Sequence, residues 1–523
     1  MSVRGRLSRR GFLSVAAGAG LVGAGLAGAG WAAAGGLLSR ENTGETLTSA
    51  LPLPRPFTVP LPIPPVARPV GENRYELTQR VGRVEIIPGT TTEVWGFDGV
   101  FPGPTLELRS GVQTTVRVRN QLPVPTSTHL HGGVTPPESD GYPTDVVVAE
   151  GRGFRPPRGM HGGGHDTSVW TFHPGAKDYV YPVGQRAATL WYHDHRMDFT
   201  APQVWRGLAG FALVRDDEDD ALPLPKGERD IPLLICDRAF EEDGSFRYPS
   251  LDPSLLVRPG VEEAFMEGVQ GDVILVNGAP WPVLEVDTAR YRLRLLNASN
   301  ARRYRLELTG GVRFTQVGSD QGLLAEPVEH SSLVIAPGER FDVVVDFSEH
   351  APGSEVTMVN TLGEGRTRNV MRFRVRSRVR DDSRIPRRLS DVPPADRAAA
   401  VTRRVFDFRL TRGGSGEMWT INGVPYRPGT PLAEPRLGTT EVWRFTSDFH
   451  HPVHVHLAHF QVLSRGKGGP AATDAGWKDT VDVRPYEVVD VLVRFDGFRG
   501  RYMLHCHNLE HEDMAMMADF QVV

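Results

Sequence analysis

Four short segments of the chain each carry a histidine pair: His129 and His131 in THLHGG, His193 and His195 in WYHDH, His454 and His456 in HPVHVH, and His505 and His507 in HCH. On an extended strand, residues two apart face the same side, so each pair would present two imidazoles together. Imidazole nitrogens are metal ligands. Two from each of four segments are more than one ion uses, and three coppers with positions left open for dioxygen would use them. A single His-X-His is more often a packed or surface pair. Four such pairs, joined by a fitting thiol, outweigh that reading.

Parity separates a second site. Cys506 lies between His505 and His507, so its sulfur points to the opposite side of their strand. His451 is three residues before His454 and, on a regular strand, also faces away from His454 and His456. His511 and Met516 follow Cys506 within a loop that can fold back, with Met517 as a competing thioether. Two imidazoles, one thiolate and a weak axial methionine form the ligand set of a blue-copper electron-transfer site. Zinc is the weaker rival, because it rarely needs a thioether. The backbone of residues 505–507 would join the two sites. Electrons arriving singly at the Cys506 copper could then collect where dioxygen binds, and one blue copper plus three clustered coppers store the four electrons needed to make water.

The elements that must position these residues read as strands. Thr114 to Arg119, Thr189 to Tyr192, Phe211 to Arg215, Tyr291 to Leu296, Val370 to Val379 and Val489 to Phe495 alternate or run apolar between turn signals, while long helical periodicity is scarce. An all-β protein built from sandwiches follows. The acidic link Asp216 to Glu228 and the charged link Arg380 to Ala400 divide the chain into domains of roughly 40–215, 225–380 and 400–523. Residues 51–69 are Pro-rich and expected to run extended over the surface. Asn277-Gly278 and Asn422-Gly423 precede similar stretches, and GVQTTVRVRN in the first part echoes LGTTEVWRFT in the third, a weak internal repeat.

Composition narrows the classes. The 523 residues carry 59 basic and 63 acidic side chains, a net charge of -4 that speaks against a nucleic-acid partner. Two cysteines exclude a disulfide framework, and Cys236 in IPLLICD is expected to pack as a small buried hydrophobe. Residues 1–39 read as a twin-arginine export signal, with Ser8-Arg9-Arg10-Gly11-Phe12-Leu13 before an Ala/Gly-rich apolar stretch. The protein is therefore expected outside the cytoplasm or in the cell envelope, without stable membrane insertion once the signal is processed; an uncleaved signal would serve as an anchor.

The chain resembles the three-domain multicopper oxidases, in the branch of bacterial spore-coat laccases and bilirubin oxidases. HLHGGVTPPESDG (129–141), WYHDHRMDFTAPQVWRGLAG (191–210), HPVHVHLAHFQVL (451–463) and HCHNLEHEDMAMM (505–517) carry the resemblance over essentially the whole mature chain. It implies three cupredoxin-like Greek-key β-sandwich domains and four copper ions: one type 1, one type 2 and two type 3. His129 and His454 correspond to type 2 ligands, and His131, His193, His195, His456, His505 and His507 to type 3 ligands. His451, Cys506, His511 and Met516 correspond to type 1 ligands, the spacing from Cys506 favouring Met516 over Met517. Asp140 and Glu512 match the family's proton-handling acids, against the alternative of solvated turn carboxylates. His450 adds an imidazole outside the pattern, and the Gly/His insertion containing His161 and His165 matches no part of it.

The implied activity is laccase-like: phenols, aromatic amines or related donors, with bilirubin as a further candidate, reduce dioxygen to water through a monomeric enzyme. A metal-ion oxidase acting on Mn²⁺ or Cu⁺ is the enzymatic alternative, and carboxylates or methionines over the His511 edge would favour it. The absence of a Met-rich insertion weighs against a dedicated Cu⁺ oxidase. A blue-copper carrier, a copper-storage protein or a structural coat protein would leave the histidine pairs unexplained, and a two-copper nitrite reductase would not need both strands of a type 3 pair.

Overall fold

The computed structural model describes residues 42–156, 167–413 and 416–523. The export signal and the His161/His165 insertion lie outside the described residues. The α-helices among the described residues are short, Thr200–Trp205, Asp217–Ala221 and Leu509–Asp513, beside brief 3-10 turns, and no helix is long and apolar enough to cross a membrane. The rest is strand and turn, as the alternating apolar pattern requires: Thr114–Asn120 alternates buried and half-buried positions along its length.

Sheets pack in pairs over three successive stretches of chain. Two four-stranded sheets between Arg74 and Arg215 enclose a core that includes Leu77, Phe97, Val118 and Leu190. A seven-stranded and a five-stranded sheet between Asp230 and Val375 enclose the largest core. Two five-stranded sheets between Thr402 and Val522 enclose the third, around Phe406, Trp443 and Phe445. The fold is all-β, and parallel pairs such as Arg74–Val84 with Thr114–Asn120 and Thr402–Gly413 with Thr440–Ser447 show strands crossing over rather than meandering.

The strands expected from sequence form, with shifted ends. Val370 to Val379 becomes Asn369–Val375, because Arg376 and the charged residues beyond it leave the sheet. The acidic link forms a one-turn helix at Asp217–Ala221, whose N-cap Asp216 accepts from the Asp219 N–H. The Pro-rich stretch is irregular and bridged to strands at Pro60 and Val66, but it does not lie wholly on the surface. Leu51 and Leu61 are buried in the core of the second sandwich, and Glu45–Leu47 pairs in parallel with Val269–Gly271. This lead-in therefore packs on the second unit before the chain enters the first. Cys236 is fully buried inside the Asp230–Arg238 strand.

The two Asn-Gly turns are built alike. Asn277 and Asn422 both have positive φ, +51° and +56°, as the first central residue of a tight turn tolerates best when it is Asn. Each side-chain oxygen accepts from a neighbouring strand N–H, that of Leu234 or Asp407.

Packing in the third unit centres on Trp443, which is fully buried against Phe406, Phe495 and Phe520 while its indole N–H donates to Glu441 Oε2 at 2.9 Å. Trp443→Ala is expected to destabilise that unit by about 3–5 kcal/mol. Urea titration followed by circular dichroism checks this; a midpoint equal to that of the parent protein would contradict it.

Candidate metal centres

Strand register assembles the histidines from opposite ends of the chain. His129 pairs with His193 across the Thr128–His131 and Ala188–Asp194 strands, and His454 pairs with His505 across His451–Val455 and Gly500–Cys506. The two sheets meet so that all eight pair histidines are buried in one place, with rings as close as 3.6 Å for His131 and His454 and 3.8 Å for His129 and His456.

Ring nitrogens converge in subsets. His195 Nε2 and His456 Nε2 each lie 3.3 Å from His505 Nε2, and His129 Nε2 lies 3.4 Å from His454 Nε2. Metal–nitrogen bonds of about 2.0 Å place tetrahedral ligand nitrogens roughly 3.3 Å apart. His131, His193 and His507 form a further group, with ring centres 5.0–5.8 Å apart. The ligand atoms of His131 and His193 also fall within 4.8 Å of that of His129. In this group His131 Nδ1, His193 Nε2 and both His507 nitrogens are buried without a hydrogen-bond partner. Such orphaned nitrogens are costly unless something binds them.

The opposite nitrogens are held. His129 Nδ1 donates to Asp140 O at 2.6 Å, His193 Nδ1 to Asp194 O at 2.8 Å, and His454 Nδ1 to Asp479 O at 3.0 Å. His456 Nδ1 donates to Asp140 Oδ2 at 2.8 Å, and His131 Nε2 to Asp479 Oδ1 at 3.1 Å. Such bonds fix the tautomer and leave the inner nitrogen's lone pair for a metal. Burial pushes His129, His131, His456 and His507 well below the usual imidazole range, so they stand neutral and ready to ligate.

Cys506 points the other way. Its sulfur lies 3.3 Å from His451 Nδ1 and 3.7 Å from His511 Nδ1, and those nitrogens are 3.1 Å apart. Burial pushes the Cys506 thiol far up, so only a bound cation would keep it as thiolate. Met516 is packed in the same core as Cys506. Met517 is the cross-strand partner of His505 and packs instead with Tyr142, Tyr426 and Met503. Thiolate, thioether and two imidazoles form a soft donor set suited to copper.

The acids lie at the cluster. Asp140 is fully buried, its Oδ1 has no partner, and burial pushes its pKa up to about 8 against the pull of Lys177. Glu512 Oε2 lies 3.0 Å from His505 Nδ1 and Oε1 lies 3.7 Å from His195 Nε2. Burial would raise Glu512, but the imidazoles of His505 and His195 outweigh it and hold it low. Neither is a solvated turn carboxylate. His450 faces Asp482 and joins none of the groups.

Sequence reasoning missed four neighbours. Asp479 and Thr480 contact His131 and His454, Asp448 Oδ1 accepts from His451 Nε2 at 3.2 Å, and Trp419 stacks on His511 at 3.7 Å. No periodicity marks Asp479 or Trp419, although Asp448, three residues before His451, sits where a local side-chain bond could have been suspected.

Comparison with known proteins agrees with this geometry. Sequence profiles described as multicopper oxidase match residues 79–170 and 152–219, 259–374 and 402–523. The chain is 35% identical to a laccase of Bacillus subtilis, over 89% of this chain and 98% of that protein. It is 36% identical to a bilirubin oxidase of Albifimbria verrucaria, over 89% and 81% of the respective chains. Among solved structures it superposes on a laccase from Pediococcus acidilactici with TM-score 0.76 and 29% identity, covering 91% of this chain and 96% of that one. It also superposes on the McoA multicopper oxidase of Aquifex aeolicus with TM-score 0.74 and 31% identity, covering 90% and 100%. With copper-suited donor sets and these matches together, the chain belongs to the multicopper oxidases, oxidoreductases that hold copper and use dioxygen as acceptor.

Proposed function

We propose that this protein is a laccase-like oxidase with four coppers, taking single electrons from phenols, aromatic amines or related donors, with bilirubin a further candidate, and reducing dioxygen to water. The observation that carries this reading is the His505-Cys506-His507 triplet, whose sulfur serves one donor set while its two imidazoles serve another. Bound copper supplies reversible one-electron storage, with one ion at the Cys506 site and three at the histidine cluster. His451, Cys506, His511 and Met516 hold the first; His129 and His454 hold the type 2 ion; the other six pair histidines hold the type 3 ions.

The remaining residues handle access and protons. His511 Nε2 donates to Glu267 O at 3.1 Å and its ring lies flat on Trp419, so the imidazole through which a donor's electron would enter is held fixed. Cys506 and its neighbours supply a short through-bond path between the two donor sets. Asp140 holds a proton near neutral pH and touches both His129 and His456. Glu512, its carboxylate oxygens 3.0 Å from His505 Nδ1 and 3.7 Å from His195 Nε2, can accept and return a proton.

A metal-ion oxidase is the second reading, favoured by Asp448. Its carboxylate binds His451 and is 15% exposed, so a cation bound there would sit one side chain from the Cys506 site. The reading also includes export, supported by the Arg9-Arg10 motif, and a monomer, since one chain carries every proposed ligand.

Copper-replete protein is expected to be blue and to hold about four coppers per chain, one at the blue site and three at the cluster; a fully loaded preparation with a single copper would reject the cluster. Cys506→Ser should lose both blue absorption and turnover while keeping the sheet signature in circular dichroism. Glu512→Gln should slow dioxygen consumption by about 10²–10⁴-fold and leave reduction of the Cys506 copper by donor nearly unchanged; equal slowing of both steps would remove its proton role. Parallel oxygen-uptake assays on a phenol, an aromatic amine, bilirubin, Mn²⁺ and Cu⁺ choose between donor classes. Under the laccase reading Asp448→Asn spares phenol turnover; selective loss of metal-ion turnover favours the second.

A further inference from the structure

The second unit contributes none of the proposed ligands, yet it reaches the cluster through one buried charge. Arg340, fully buried, donates Nη1 to Asp479 Oδ1 at 2.6 Å and Nη2 to Asp479 Oδ2 at 2.5 Å. Gln321 Nε2 donates to Asp479 Oδ2 at 2.5 Å, and Thr480 Oγ1 donates to Oδ1 at 2.8 Å. The remaining direction at Oδ1 is taken by His131 Nε2 at 3.1 Å. Arg340 is anchored in turn by donating to Thr189 O and Gly338 O. One carboxylate thus ties His131 of the first unit to Arg340 and Gln321 of the second from its own place in the third.

The chemistry of these groups fixes a proton. Guanidinium has donors only, and a carboxylate paired with it in this fork has acceptors only. His131 Nε2 must therefore carry the hydrogen, which leaves the lone pair of the neutral ring on Nδ1. That is the nitrogen found buried and unpartnered. Gly338 completes the wall: at φ +84°, a Cβ there would lie 2.9 Å from His507 Cδ2 and 3.2 Å from His131 Cε1, so only glycine lets the second unit approach both rings.

We infer that Asp479, clamped by Arg340, is the positioning residue that makes His131 a ligand through Nδ1, so that the ligand-free second unit governs copper retention at the type 3 pair. His131, His454 and Asp479 lie close enough to gather around an ion of their own, but both Asp479 oxygens already face the Arg340 guanidinium. This inference rests on the four-copper reading above.

The test uses the full-length holoprotein. Copper per chain is measured after dialysis, with electron paramagnetic resonance spin counts and blue absorption on the same samples. In the parent protein a coupled type 3 pair is silent in resonance; its absence there would overturn the four-copper reading itself. In Asp479→Asn the amide can turn donors toward His131, and retention of one type 3 copper should weaken by about 10- to 100-fold, exposing its former partner as new resonance signal while blue absorption stays at the parent level. Should Asp479→Asn fail to fold, the double variant Arg340→Met/Asp479→Leu replaces the buried pair with apolar side chains, an exchange that commonly preserves stability, and should show the same loss. Asp482→Asn breaks another buried pair between the second and third units, Arg303 to Asp482 at 2.6 Å, without touching a cluster ligand, and should keep the silent pair. Parent-like copper and spin counts in the Asp479 variants, or the same loss in Asp482→Asn, would overturn the assignment of Asp479 to His131.

Discussion

Two-residue alternation on one buried strand is the constraint on which the rest of this structure depends. Gly500–Cys506 runs between two strands: Leu504, His505 and Cys506 pair with His451–Val455, and Gly500 to His505 pair with Met517–Val522, so the faces of its side chains are fixed. Cys506 is therefore held among His451, His511 and the third core, and His505 is held across the sheet among His195 and His456. A one-residue slip would exchange thiol and imidazole between the sites and undo both. The helix Leu509–Asp513 follows at once and returns His511 to the sulfur and Glu512 to the histidines, repeating the division with adjacent residues.

Burial gives that alternation its chemical meaning. The Cys506 thiol and the imidazoles of His129, His131, His456 and His507 are enclosed away from water and driven toward neutrality, and several of the cluster's inner atoms have nothing in the protein to bond. The outer nitrogens of His129, His193, His454 and His456 are tied to carbonyls and a carboxylate, which turns their other nitrogens inward. Such an arrangement stabilises bound cations because the protein has already met the cost of orienting the ligands.

The second unit packs at the cluster although all the proposed ligands come from the other two. The histidine cluster lies at the seam of the first and third units. The second unit closes it with Arg340, Gln321 and Gly338 on one side, and Asn300 donates to Glu510 at 2.8 Å on another. The lead-in at Glu45–Leu47, paired to the second unit, adds a further tie between the start of the described chain and the middle sandwich.

The sequence alone determined the all-β class, most strand positions and the division of the candidate histidine, cysteine and methionine donors between two sides, because alternation along a strand is a local property that residue order records. The resemblance favoured Met516 over Met517 by its spacing from Cys506; the structure puts Met517 across from His505 and Met516 in the core that holds Cys506. Only tertiary structure placed Asp479, Arg340 and Trp419 against the histidines, as these contacts join residues far apart in the chain through packing of whole sandwiches. It also decided that Asp140 and Glu512 are buried beside imidazoles and that the Pro-rich lead-in belongs to the second core. Burial and long-range contact are properties of the assembled surfaces, and no spacing within one segment encodes them.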